Sequence, residues 1–176
     1  MATRDATDRI AAVADKQEIY EVLTRYCRGI DRRDVELLRS CYHEDAYDDH
    51  GMFQGPAWEF AEYAVENLQT MQRTMHCIQN ISITLAGDVA ASEAYLIAYH
   101  RMTSREGGDA DHVVGARYVD RLERRDGEWR IAHRTVVYEW SRIDPVGRTW
   151  KVRPEYTVGT RDRDDRSYTV LEELRG

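Results

Sequence analysis

The sequence predicts an α+β fold with N-terminal helices packed on one face of a curved antiparallel sheet. Apolar residues recur at helical spacing before residue 72 and alternate with polar ones after it. The turns Gly87-Asp88 and Asp126-Gly127 are short, so long neighbouring strands follow one another as an antiparallel meander.

In order, Ile10, Val13, Ile19, Val22, Leu23, Tyr26 and Ile30 mark a long first helix from Asp8 to Ile30. No proline interrupts it, and no glycine occurs before Gly29. Asp34 is placed to cap a short second helix carrying Val35, Leu37 and Leu38. Tyr42 to Gly55 mixes acids, aromatics and Gly51, and reads as loop plus a short hairpin. Gly55-Pro56 opens a third helix through Trp58, Phe60, Tyr63, Val65 and Leu68, with proline in the first turn. His76 to Leu85 alternates and is rich in β-branched residues, which indicates a strand. Val89 to Thr103, Asp111 to Arg124 and Glu128 to Trp140 supply three more.

From Arg142 onward the pattern dissolves. Asp144-Pro145-Val146-Gly147 turns the chain, and Arg161 to Arg166 reads as a solvated charge run. Val152, Tyr156, Val158, Tyr168, Val170 and Leu171 are the expected anchors of this tail. The chain therefore divides into a domain over 1–141 and a tail over 142–176 that packs on it or on a neighbouring subunit.

A chain of 176 residues, 42% hydrophobic and 32% charged, suits one folded domain. Its net charge of −7 opposes a nucleic-acid partner, because phosphate contacts need a basic face. No stretch approaches the ~20 apolar residues of a membrane span. Met1-Ala2-Thr3-Arg4-Asp5 lacks the hydrophobic core of a signal peptide, so a cytoplasmic location is expected. Cys27, Cys41 and Cys77 are odd in number and lack close spacing, which speaks against disulfides or structural zinc. They are expected as small buried apolar side chains.

The chemistry centres on Asp31 and His76. A carboxylate that reaches an imidazole N–H fixes its tautomer and makes the other nitrogen a better base. Asp31 ends the first helix and His76 opens the first strand, so only the fold can bring them together. Tyr26 lies about a helical turn earlier than Asp31, and a phenol there can donate to a leaving hydroxyl. Along the last strand His133 and Arg134 alternate, so one of them points inward. The cluster His43, Glu44, Asp45, Asp48, Asp49, His50 matches no standard zinc spacing and reads as a solvated loop. No Gly-x-Ser-x-Gly elbow occurs. No metal and no cofactor are expected.

The run Arg25-Tyr26-Cys27-Arg28-Gly29-Ile30-Asp31, then Leu37 to Ala46, then Gly51-x-Phe53-x-Gly55, resembles the SnoaL-like branch of the NTF2-like superfamily. The closing stretch from Tyr118 to Arg134 is similar too, and the likeness covers roughly Asp15 to Asp144. Within that branch the pattern resembles hexachlorocyclohexane dehydrochlorinase, bile-acid 7α-dehydratase, scytalone dehydratase and formaldehyde-releasing lyases. The resemblance implies a conical cavity between helices and sheet, and chemistry without a cofactor. It places the catalytic pair on Asp31 and His76, with Arg134 turned inward to hold an anionic leaving group. Tyr26 falls where the dehydrochlorinase pattern has lysine and the bile-acid dehydratase pattern has tyrosine. His100 lies near a second histidine of the scytalone dehydratase pattern.

Substrate contacts are expected from His100, Tyr47, Phe53, Tyr95, Tyr118 and Tyr138, alongside Trp58, Phe60 and Tyr99. The expected activity is a lyase acting on a bulky, aromatic or polycyclic small molecule. A non-catalytic subunit like the small β-subunit of ring-hydroxylating dioxygenases is the reading from another class, and an isomerase or polyketide cyclase would use the same base. A homo-oligomer is expected, a trimer before a dimer, with Val119, Leu122 or Ile131 among the outer apolar positions.

Overall fold

The computed structural model describes residues 5–104 and 107–174. Helix α1 (Ala6–Arg32) is capped by Asp5, whose side chain accepts from the Ala6 N–H. Its buried stripe, Ile19, Val22, Leu23, Tyr26, Cys27 and Ile30, lies in the C-terminal half. Ile10 and Val13 are exposed, because the sheet does not reach the first turns. Gly29 is buried where α2 (Val35–Arg39) crosses the helix. A Cβ there would meet Leu38 Cδ2 at 2.9 Å, so glycine lets the two helices touch. Arg33 then adopts a left-handed conformation, φ 53°, and its N–H closes the helix on Gly29 and Ile30 carbonyls. This stop sets Asp31 in the last turn. Asp34 caps α2 by accepting from the Leu37 N–H at 3.1 Å.

Strands β1 (Tyr42–Asp49) and β2 (Gln54–Pro56) form the hairpin, and α3 (Ala57–Leu68) follows it. Then come β3 (Arg73–Ala86), β4 (Val89–Thr103), β5 (Asp109–Arg125) and β6 (Glu128–Pro145). The sheet order is β2-β1-β6-β5-β4-β3. The meander β3 to β6 is antiparallel, but β1 lies parallel to β6, so the sheet is mixed rather than purely antiparallel. That pairing follows from the topology: β6 is the last strand of the meander, and it closes beside the strand that α2 leads into.

Helices and concave sheet face share one core: Leu96, Ala98, Ala116, Tyr118, Leu122, Trp129 and Ile131 meet the α1 stripe. Each fully buried Leu or Ile contributes about 1.5–3 kcal/mol. Leu122 and Ile131 are wholly buried in it, so the sequence expectation that they face outward is corrected. Leu122 alternates in phase with the buried Tyr118 and Asp120, and a register shift that leaves Ala132 of β6 unpaired brings both Ile131 and Arg134 to the inner face. Cys27 and Cys41 are buried as expected, whereas Cys77 is exposed on the outer side of β3.

The tail returns to its own domain. Its expected anchors are largely exposed: Val152, Tyr156 and Val158 lie open. The charge run does the anchoring instead, with Arg161 and Asp165 buried. Arg161 Nη1 donates to the carbonyls of Leu68 (3.0 Å) and Met71 (2.6 Å) at the end of α3. Asp165 sits 3.3 Å from Arg32 and caps helix α4 (Arg166–Glu173). Tyr168 donates to Asp34 at 2.8 Å, and the Arg28 guanidinium lies 4.4 Å from its ring centre. Side chains with fixed hydrogen-bond geometry hold the tail where apolar residues were expected to.

Candidate active site

Asp31 and His76 meet across the junction of α1 and the edge strand β3. His76 Nδ1 lies 2.8 Å from Asp31 Oδ1, and the His76 backbone N–H donates to Oδ2 at 3.0 Å. That N–H is on the side of β3 with no neighbouring strand, so the carboxylate supplies the acceptor that the sheet lacks. Burial raises the Asp31 pKa, but the hydrogen bonds and charge of His76 outweigh it and hold the carboxyl below its ordinary range. An ionised carboxylate only accepts, so Nδ1 carries a proton, and in the neutral imidazole Nε2 presents a lone pair. Among the described residues no hydrogen-bond partner occupies that Nε2.

His100, from β4, stands edge-on to His76 with ring centres 5.3 Å apart. Burial, followed by the charge of His76, pushes its pKa down to about 4. It is therefore a neutral hydrogen-bonding group at neutral pH, with Nδ1 3.4 Å from the carbonyl oxygen of His112.

A second carboxylate–imidazole pair lies at the other side of the sheet. Asp48 is fully buried on β1, and its Oδ1 contacts Nδ1 of His50. Its Oδ2 accepts from Tyr42 at 2.6 Å. His50 stacks on Phe60 with ring centres 4.0 Å apart, and its Nε2 is 3.3 Å from the Tyr26 hydroxyl. Burial, opposed by Arg134, pushes Tyr26 far above the ordinary phenol range, so it is a neutral donor. The acidic loop reading of Asp48 and His50 is thereby corrected. The available signal was local: Asp48 ends the inward alternation of β1, and His50 follows it by two residues, just beyond the strand.

Arg134 does turn inward. It does not open to a cavity: its Nε and Nη2 bind Asp120 at 2.7 and 2.6 Å, both side chains fully buried. Tyr26 and Tyr118 sandwich the guanidinium, 4.0 and 4.1 Å from their ring centres. The expectation that Arg134 holds a leaving group directly is corrected, since Asp120 and the two rings already enclose it. Nη1 is buried without a partner.

The expected walls divide. Tyr118 is buried inside the fold, and Phe53 packs on Phe60 and Tyr63. Tyr47 is exposed and stacks on His133, because Ala46 and Asp48 take the inner positions of β1. Tyr95 and Tyr99 are exposed on the outer face of β4, whose Ala94, Leu96 and Ala98 point in. Tyr138 is exposed and donates to Ser141. Tyr47, Tyr95 and Tyr138 are therefore not part of the interior. Among the described residues no group of three or more His, Cys, Asp or Glu is arranged to hold a metal.

The pattern of the SnoaL-like domain matches residues 11–135, which takes in α1, the hairpin and the sheet through Arg134. The chain belongs to the SnoaL-like family. An uncharacterized protein of Mycobacterium tuberculosis is 28% identical over 130 residues, 71% of this chain and 86% of that one. Among solved structures, a hexachlorocyclohexane dehydrochlorinase of type 2 is similar with a TM-score of 0.66 at 20% identity, covering 86% of this chain and all of that one. A provisionally assigned scytalone dehydratase of Novosphingobium aromaticivorans gives the same TM-score at 20% identity, over 79% and 97% of the two chains. At these identities the structural likeness establishes the fold, the helix-and-curved-sheet cone of NTF2-like proteins. No helix among the described residues is long and apolar enough to cross a membrane.

Proposed function

We propose that this SnoaL-like protein is a cofactor-independent lyase in which His76, oriented by Asp31, removes a proton from a small-molecule substrate. The observation that carries the reading is the Asp31–His76 pair itself: ionised carboxylate, protonated Nδ1, unoccupied Nε2. His76 Nε2 takes the proton from carbon, the C–H electrons form the new double bond, and halide leaves with its bonding pair, or hydroxide leaves and takes that proton back from His76 as water. Where formaldehyde is released, the proton comes from its hydroxyl and the C–C electrons form the double bond as the leaving group on the next carbon departs. A positioned general base contributes about 10²–10⁴-fold. His100, neutral and beside the base, supplies a hydrogen bond without competing for the proton. Tyr26 and Arg134 act from behind the interior surface: Arg134 fixes the Tyr26 ring, and Tyr26 holds His50. The dehydrochlorinase and dehydratase names among the structural neighbours support the same class.

The test uses D2O and a panel of β-hydroxy ketones, β-hydroxy acids and chlorinated cyclohexanes, with no added cofactor. Mass spectrometry should find elimination products, or deuterium exchanged at the acidic carbon, with the native protein and neither with His76→Ala. Exchange that survives in His76→Ala overturns the assignment.

The protein is also proposed to act as a homo-oligomer, a trimer before a dimer, in a reducing cytoplasm. Met75, Tyr95, Val119 and Trp140 give the strands β3 to β6 exposed apolar side chains for such an interface. Light scattering that finds a stable 20.5 kDa species at micromolar concentration overturns the assembly.

A further inference from the structure

We infer that the returning tail completes an oxyanion-binding cleft beside Asp31 and His76, which takes the carboxylate or phosphate group of the substrate. The inference rests on the lyase reading of that pair and names the chemical class of its substrate.

Arg33, Arg73 and Arg161 line a cleft of about 320 Å³ together with residues of the tail. Each is close to the pair in the chain or in space. Arg33 follows Asp31 by two positions, and Arg73 precedes His76 by three on β3. Arg161 is brought in by the tail and lies near enough to Asp31 to feel its charge.

The three guanidinium groups bind only carbonyl oxygens. Arg33 Nε donates to the Arg161 carbonyl at 3.1 Å, and Arg73 Nη1 to that of Gly159 at 2.8 Å. Arg161 uses Nη1 on the end of α3, while its Nε and Nη2 are buried with no acceptor. Elsewhere in this acidic chain arginines find carboxylates: Arg101 with Asp111, Arg117 with Glu93 and Glu139, Arg124 with Asp15, Arg134 with Asp120. A buried guanidinium with free donors carries a desolvation cost, which an oxyanion with several lone pairs relieves by paired hydrogen bonds.

Three carboxylates are near, and all are engaged: Asp165 accepts from the Thr160 N–H at 3.1 Å and sits 3.3 Å from Arg32. Asp162 lines the cleft, with Oδ1 accepting from the Thr160 hydroxyl at 2.8 Å and from the Asp164 N–H at 3.1 Å. Asp31 gives both oxygens to His76. Burial and the neighbouring Arg33, Arg73 and Arg32 charges depress the Arg161 pKa and outweigh the opposing charge of Asp31. Arg33 also holds its left-handed backbone without being glycine, a strain of about 1 kcal/mol tolerated at functional positions.

Calorimetry on the full chain tests this with benzoate, phenyl phosphate, inorganic phosphate and the neutral isostere benzamide. Saturable binding of benzoate or phenyl phosphate is expected, with none of benzamide, and the tighter of the two identifies the natural group. Arg33→Gln and Arg73→Gln should each weaken it about tenfold, while Arg148→Gln leaves it unchanged. Arg161→Gln should abolish it. Because that change also uncaps α3, the Arg33 and Arg73 variants decide the case. Equal binding of benzamide, or affinity unaltered in both variants, overturns the cleft. So does phosphate held without displacement by either arene, which is an adventitious ion only. His76→Ala should keep anion binding. Binding without turnover therefore defeats the lyase reading alone, and His76-dependent turnover without anion binding defeats the cleft alone.

Discussion

The two carboxylate–imidazole pairs are built alike and stand differently. In both, an aspartate holds Nδ1 and leaves Nε2 for another partner. At the α1–β3 junction that nitrogen is unoccupied, with the His76 side chain 9% and the Asp31 side chain 13% exposed. At β1 the Tyr26 hydroxyl already meets it, and Asp48 is fully buried beneath Tyr42. The first pair can accept a proton from an incoming molecule. The second is a closed hydrogen-bond chain whose stabilising effect depends on every member being present. The chemistry of a pair thus follows from what its second nitrogen touches.

Parallel substitution should separate them most strongly in turnover. His76→Ala is expected to lose about 10²–10⁴-fold, the contribution of a positioned base. His50→Ala should lose only about tenfold, because it works through Tyr26. Equal losses in initial rate would erase the distinction. Stability should run the other way. Asp48→Ala strands the Tyr42 hydroxyl and the His50 N–H in the core, at about 1–3 kcal/mol for each. Asp31→Ala, nearer solvent, should cost less in urea unfolding.

Acid should bear on the open pair through its neighbour. An unfolded chain protonates His100 near pH 6.5, while the folded protein resists until about 4. Between those values the unfolded state binds the extra proton, so stability falls as pH drops, by at most about 3 kcal/mol. Asp31 adds a loss of the same sign at still lower pH, as its carboxylate is protonated. Thermal unfolding from pH 7 to 4 should show this slope, and His100→Asn should flatten it. A slope unchanged in that variant would place the acid sensitivity elsewhere.

The open pair was legible in the sequence and the closed one was not. Asp31 sits at a helix stop announced by Gly29 and His76 begins a run of clean alternation, so periodicity placed each on its element, and the resemblance to the SnoaL-like branch paired them. Asp48 and His50 lie among four other His, Asp and Glu residues from His43 onward, and composition there outweighed their spacing of two at the end of β1. Parity failed on β6 as well, where the shift at Ala132 turns both Ile131 and Arg134 inward. The tail was misread for another reason. Its arginines and aspartates bind backbone carbonyls and helix caps, contacts that leave no pattern in a single chain.

The finest distinction between the pairs is chemical access to Nε2. Diethyl pyrocarbonate acylates the unprotonated, uncovered imidazole nitrogen, so His76 should be modified and His50 protected. Tyr26→Phe removes the hydroxyl 3.3 Å from His50 while keeping the ring that Arg134 packs on. The cost should be small, about 1 kcal/mol, since one neutral hydrogen bond is lost and the aromatic contacts persist. His50 should then acquire a reactivity close to that of His76, read peptide by peptide in the mass spectrum. If His50 stays inert in that variant, stacking on Phe60 rather than the Tyr26 hydroxyl shields it. The two pairs would then differ in what covers each ring, since the His50 side chain is 22% exposed and that of His76 9%.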